Sequence, residues 1–297
     1  MYTKIMVPLD GSNLAESALA LAFAFGRKTG ASLHFVMVIE RLSSIFGLGR
    51  VEYRGDWGHE YLGNLVDAAA SEGSKKSTYS LNTGNVVDEL EKEQDSSGAD
   101  LVVMATHGRG LIARTWFGSV ADGFLRRTRV PLILVRPTDS MSVVDLETSG
   151  STVLIPLDGS APSESALGNV IDLGELFGAA YHLTHVVVPP TRITTPYLPH
   201  AADSNEVNAH EAREWAANYL ELIARRMRHR GLRVTTSVAV NHQVGQGILQ
   251  EANAVGCDLI SMVTKGKNGL DLLRLGSSID KVVRRTHVPI LLHPMQA

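Results

Sequence analysis

One cysteine, Cys257, occurs in 297 residues. A single thiol excludes an intrachain disulfide and any metal site built on several cysteines. Its flanks, GCDLI, read as the start of a buried strand, so a packed core thiol is expected. Charge of one sign is also missing: 28 Lys and Arg stand against 31 Asp and Glu, for a net charge of -3 and a pI near 6.4. That balance argues against a nucleic-acid partner, which favours a basic surface. It leaves room for a small anionic ligand, which needs only local positive potential. No window approaches the ~18 apolar residues of a membrane span. The opening MYTKIMVPLDGS has no long apolar leader segment. No membrane partner and a cytoplasmic location are therefore expected. No GxxxxGK[ST] is present, which removes the common phosphate-loop mechanism. No acidic pair follows the first predicted strand and no Asp ends the third, which removes a phosphoacceptor receiver domain.

What is there is a sequence that says nearly the same thing twice. KIMVPLDGS at 4–12 returns as VLIPLDGS at 153–160, and VPLILVRP at 130–137 returns as VPILLHP at 288–294. DLVVMATHG (Asp100–Gly108) returns as DLISMVTKG (Asp258–Gly266), and Gly118-Ser119 returns as Gly276-Ser277. The length suits two domains of roughly 150 residues. At 44% hydrophobic and 20% charged, the composition is that of a globular protein with ample apolar surface for two cores. The spacing between copies is 148 at Asp10/Asp158 and Val38/Val186, but 158 at Gly108/Gly266 and Pro131/Pro289. The ten extra residues are assigned to 189–207, a Pro- and Thr-rich stretch that reads as a loop.

Within copy one, short continuous apolar runs alternate with helical periodicity. Strands are expected at KIMVPL, LHFVMVI, STYSLNTG, Leu101–Met104 and Leu132–Val135. Helices are expected along Leu14, Ala18, Leu21, Ala22 and Phe25, in a short segment at Leu62, Leu65, Val66 and Ala69, around Val86 and Leu90, and over Ser119–Arg127. Copy two follows the same order, with a stronger second helix marked by Ala216, Leu220, Ile223 and Met227. Its Arg-rich end, Ala224–Gly231, reads as a solvated helix terminus, where cations offset the helix dipole. Strands that are apolar throughout indicate a parallel sheet covered on both faces. The fold class is α/β: two doubly wound five-strand domains in tandem, at 1–138 and 151–297, joined by a linker at 139–150.

In an open parallel sheet, ligands bind outside the carboxyl ends of the strands, where strand order reverses. The features shared by the copies fall there. Asp10 and Asp158 end strand one, Val38 and Val186 end strand two, the Gly108 and Gly266 loops follow strand four, and Gly118-Ser119 and Gly276-Ser277 open helix four. A Gly after a strand lets backbone approach a ligand. A Gly-Ser helix start offers N–H groups, a favourable dipole and a hydroxyl to an anion. Arg109 and Lys267 add a cation beside each loop glycine. A strand-one carboxylate accepts from a ribose hydroxyl or an adenine amine. These features read together as a nucleotide site, although Asp-Gly-Ser and Gly-Ser are also ordinary turn and cap residues. Gly108-Arg109-Gly110-Leu111-Ile112-Ala113 fits a dinucleotide fingerprint, but it follows strand four rather than strand one and copy two does not repeat it.

Asp10, Thr106-His107-Gly108, nine residues, Gly118-Ser119 and a Val-Pro-apolar last strand resemble a universal stress protein domain. The whole chain is similar to a tandem universal stress protein of the ATP-binding branch, whose motif is G-x2-G-x9-G-[S/T]. Here the first glycine is Ala105 in copy one and Val263 in copy two. The resemblance implies strand order 3-2-1-4-5 and pairing of the two domains through their last strands. It implies ATP or ADP as ligand, with Mg2+ as accompanying ion, and leaves homodimer formation open. The implied nucleotide-binding set is Pro8, Asp10, Val38, Ala105, Gly108, Arg109, Gly118, Ser119 and Val120, then Pro156, Asp158, Val186, Val263, Gly266, Lys267, Gly276, Ser277 and Ser278. Adenine falls to Asp10 and Val38, or to Asp158 and Val186, and the phosphates to the glycines and serines. The larger Val263 predicts a weaker second site. Arg41–Gly55, with Ile45, Phe46 and Leu48 among glycines, is a candidate lid or packing segment.

Three functions stay open at this level. They are a nucleotide-binding stress-response regulator, a slow ATP hydrolase or nucleotidyl-transfer enzyme on the same scaffold, and a ligand-free interaction module. His107 and Lys265 occupy equivalent loop positions with different chemistry, which argues against a duplicated catalytic apparatus.

Overall fold

The structure is a computed structural model that describes residues 2–40, 50–74, 76–106, 118–137, 150–189, 201–264 and 276–294. The first apolar run forms β1 (Lys4–Leu9), whose residues Ile5–Leu9 are all buried. Alternate side chains leave the strand on opposite faces. Ile5, Val7 and Leu9 accordingly join one core cluster and Met6 joins another. Burial on both faces is what a continuous apolar run requires.

Copy one continues with α1 (Asn13–Glu16), α2 (Leu19–Thr29), β2 (Ser32–Ile39), α3 (Arg50–Ser71), β3 (Thr78–Thr83), α4 (Val86–Ser97), β4 (Leu101–Ala105), α5 (Ser119–Leu125) and β5 (Leu132–Val135). Copy two repeats it as β6 (Thr152–Pro156), α6 (Ala161–Ser165), α7 (Leu167–Leu176), β7 (Ala180–Val187), α8 (Ala201–His229), β8 (Val234–Val240), α9 (Val244–Val255), β9 (Leu259–Thr264), α10 (Ser277–Arg285) and β10 (Ile290–Pro294). The strand order is β3-β2-β1-β4-β5-β10-β9-β6-β7-β8, so each copy has the expected 3-2-1-4-5 order. The two sheets fuse into one ten-stranded sheet. β5 and β10 meet antiparallel, with Ile290 opposite Leu134 and Leu292 opposite Leu132. Two unpaired apolar edges thereby satisfy each other. Phe25 of α2 packs on Phe177 at the end of α7 at 5.0 Å, and Arg136 Nη1 donates to the Thr286 carbonyl at 3.1 Å, so side chains also cross the seam.

Three expectations change. The first helix is broken: Ser17 Oγ turns back to the Leu14 carbonyl, and Leu14, placed on the apolar face from its spacing, is exposed. The second helix of copy one is not short. It runs 22 residues through Gly55, Gly58 and Gly63, residues that discourage a helix locally. Packing explains Gly58, where a Cβ would meet Leu81 of β3 at 3.0 Å. The stretch 189–207 is not all loop, since α8 starts at Ala201. Seven of the ten inserted residues lengthen this helix, 29 residues against 22 in copy one. The Arg-rich end of α8 is tied down: Arg225 and Arg228 bond Glu221, and Arg228 Nε donates to the Val234 carbonyl. Among the described residues, no helix is long and apolar enough to cross a membrane.

Candidate functional site

The Asp-Gly-Ser turns take the same form in both copies. Asp10 Oδ1 accepts from the Ser12 amide at 2.9 Å and from Ser12 Oγ at 2.6 Å. Asp158 Oδ1 accepts from the Ser160 amide at 3.0 Å and from Ser160 Oγ at 2.5 Å. Gly11 and Gly159 sit at φ +71° and +79°, a region that disfavours side chains. Ser12 Oγ and Ser160 Oγ then accept from Ala15 and Ser163 amides and so cap the following helices. These residues thus build the turn and cap, and they also hold a carboxylate at the carboxyl end of β1 and of β6.

On the other side of the strand-order switch lie β4 and β9. The Gly118 amide donates to the Thr106 carbonyl at 2.8 Å, which fastens the start of α5 beside the end of β4. Gly118 and Gly276 are the N-caps of α5 and α10, and among the described residues no side chain caps either helix. Ser119 and Ser277 are exposed in the first turns, with Val120 and Ser278 partly buried behind them. Ala105 is buried at the end of β4. Its counterpart Val263 lines a small cavity with Pro156, Ser163, Ala166, Val170 and Ser261. Pro8 is buried within β1, and Val38 and Val186 lie near the ends of β2 and β7, with Val186 against Gly247. Gly108, Arg109, Gly266 and Lys267, with His107 and Lys265, lie outside the described residues, as do Ile45, Phe46 and Leu48 of the candidate lid. The described end of that segment, from Arg50, belongs to α3. Among the described residues, no three His, Cys, Asp or Glu side chains cluster as metal ligands.

Two duplicated clusters escaped the sequence reading. In the first, Trp57 stacks on Tyr61 at 5.1 Å and 13°, and Tyr61 OH donates to Glu16 at 2.9 Å. Copy two repeats it: Trp215 stacks on Tyr219 at 5.3 Å and 3°, and Tyr219 OH donates to Glu164 at 3.0 Å. Burial, the Glu164 hydrogen bond and the charges of Glu164 and Asp158 push the Tyr219 phenol upward, so it stays a donor. In the second, His34 of β2 bonds Thr78 and Glu93 at 2.8 Å each, and His182 of β7 bonds Thr235 at 2.8 Å and Glu251 at 3.1 Å. Burial pushes the Glu93 carboxyl up, but hydrogen bonds from Asn82, His34 and Ser80 outweigh it and hold it below the usual range. The His–Glu pairs tie the helix after strand three, α4 or α9, to the sheet. The copy spacings of 148 and 158 relate Glu16 to Glu164, His34 to His182, Trp57 to Trp215 and Glu93 to Glu251, so the repeat itself carried the signal.

Comparison with known proteins agrees with this architecture. Residues 1–136 and 151–294 each match the profile of the universal stress protein family. A universal stress protein of Mycobacterium tuberculosis is 25% identical over 307 residues, covering 98% of this chain and 99% of the relative. Another from the same species is 26% identical over 196 residues, 66% of this chain and 62% of the relative, so the chain spans less than two thirds of that protein's length. The crystal structure of a universal stress protein from Archaeoglobus fulgidus shares the fold with a TM-score of 0.69 at 18% identity, covering 99% of this chain and 98% of that one. With both halves matched and the duplicated 3-2-1-4-5 sheet in place, the chain belongs to the universal stress protein family.

Proposed function

We propose that this chain is an adenine-nucleotide-binding regulatory protein of the stress-response type, with one ATP or ADP crevice in each copy. The observation that carries the reading is the pairing, twice over, of an Asp-Gly-Ser turn with a Gly-Ser helix start across the strand-order switch. The carboxylates of Asp10 and Asp158 suit an exocyclic amine or ribose hydroxyl. The backbone at Val38 and Val186 suits a base edge. The first turns of α5 and α10, capped by glycine backbone rather than by a side chain, suit phosphate oxygens. Mg2+ enters this reading only as counter-ion of the triphosphate. Copy one binds more tightly, because Ala105 is smaller than Val263 on the ribose side.

The test is calorimetric titration of the full chain with ATP, before and after Gly118→Asp and Gly276→Asp. Both glycines have negative φ, -68° and -58°, and Asp is a favoured N-cap, so the variants should fold. Each carboxylate should remove one binding site by occupying and repelling the phosphate position. Undiminished ATP binding by the double variant, or no binding by the native chain, overturns the reading.

A further inference from the structure

The Trp215 stack has a geometry that packing alone does not account for. Its indole edge lies on the Asp158-Gly159-Ser160 turn, close enough that a Cβ at Gly159 would meet Cη2 at 2.7 Å. Tyr219, one helical turn further along α8, supports one ring face at 5.3 Å and is itself held by Glu164. His185 of β7, whose Nδ1–H donates to the Leu157 carbonyl at 2.8 Å, meets the indole nearly edge-on at 76°. Three neighbours therefore fix the plane of this ring, yet it stays 53% exposed. A large apolar ring that serves packing is ordinarily turned inward. Here it is held rigid, half in water, at the carboxyl ends of β6 and β7, against the turn that carries Asp158.

We propose that Trp215 is a stacking platform for the heteroaromatic base of the nucleotide bound by copy two, extending the Trp215–Tyr219 stack by one ring. The proposal rests on the nucleotide reading above and adds to it a base-binding residue. A flat π-face beside a carboxylate is the combination that holds an amino-substituted base: the face supplies stacking area and the carboxylate accepts from the amine. Rigidity lowers the cost, since no side-chain freedom remains to be lost when the base arrives. Copy one repeats the stack and its anchor, Trp57 on Tyr61 with Tyr61 OH bonded to Glu16.

Trp215 can be watched directly. With Trp57→Phe and Trp116→Phe it becomes the only tryptophan, and the full chain otherwise stays as it is. ATP should quench its fluorescence to saturation, whereas inorganic tripolyphosphate, which has no base, should leave it unchanged. In the otherwise native chain, Trp215→Ala should weaken ATP at one of the two calorimetric sites by roughly tenfold or more, the loss typical of removing one base–aromatic contact. If ATP binds but leaves Trp215 fluorescence unchanged, or if Trp215→Ala shifts the melting temperature without changing affinity, the platform is refuted and the nucleotide reading stands. Equal quenching by tripolyphosphate also refutes it, because the ring then reports phosphate binding. If the native chain binds no ATP, both proposals fall.

Discussion

Acid should weaken copy two through one buried histidine. His293 lies on β10, opposite Val263 of β9, and is 4% exposed. Its Nε2 faces Ser261 Oγ at 3.2 Å, and its buried Nδ1 has no hydrogen-bond partner among the described residues. Burial pushes its pKa down from 6.5 to about 4. In the unfolded chain the same group titrates near 6.5. Above that value it is neutral in both states and adds no pH dependence. Between 6.5 and 4 the unfolded chain binds a proton that the folded chain refuses, so stability falls as pH falls, and it levels off below 4. A span of about 2.5 units at ~1.36 kcal/mol each gives a loss of about 3 kcal/mol. Copy one supplies the control, because Val135 and Val103 occupy the positions equivalent to His293 and Ser261. The pair His293→Val and Ser261→Val should therefore fold, and should remove about 3 kcal/mol of acid sensitivity. Urea unfolding at about pH 7.5, 5.5 and 4, followed by far-ultraviolet circular dichroism, measures the difference. Every other ionisable group is common to both proteins, so its contribution cancels. If native and double-variant chains lose stability in parallel from pH 6.5 to 4, the burial argument is wrong.

Two further outcomes follow from the core. Gly174→Ala on α7 would press a methyl onto the ring of Tyr181, whose Cε1 and Cζ lie 2.8 Å from the Cβ position and whose hydroxyl is held by the Ile171 carbonyl. Overpacking of this kind costs roughly 1–3 kcal/mol, and a melting temperature equal to that of the native chain would contradict it. Cys257, its thiol pushed up to about 12 by burial with Asp258 adding to the shift, should react with an aromatic disulfide reagent only after unfolding; rapid labelling of the native protein at pH 8 would contradict that.

The sequence by itself determined the duplication, the positions of nearly every strand, and the turn chemistry at the strand ends. Those features are local. A continuous apolar run or an Asp-Gly-Ser turn is written in adjacent residues, and the same local rules operate in both copies. The pairing of the last strands was also foreseeable, because two exposed edges as apolar as LILV and ILLHP need cover. Only the tertiary structure decided the register, Ile290 on Leu134, and the fusion of both sheets into one. It also decided that α3 continues through three glycines, since helix propensity loses there to packing on β3. The Trp–Tyr–Glu and His–Glu clusters are not legible locally. Glu164 and Tyr219 are 55 residues apart, and His34 and Glu93 are 59 apart. What joins such pairs is the crossover that carries each helix back over the sheet, and a contact set by a crossover exists only once the chain has folded.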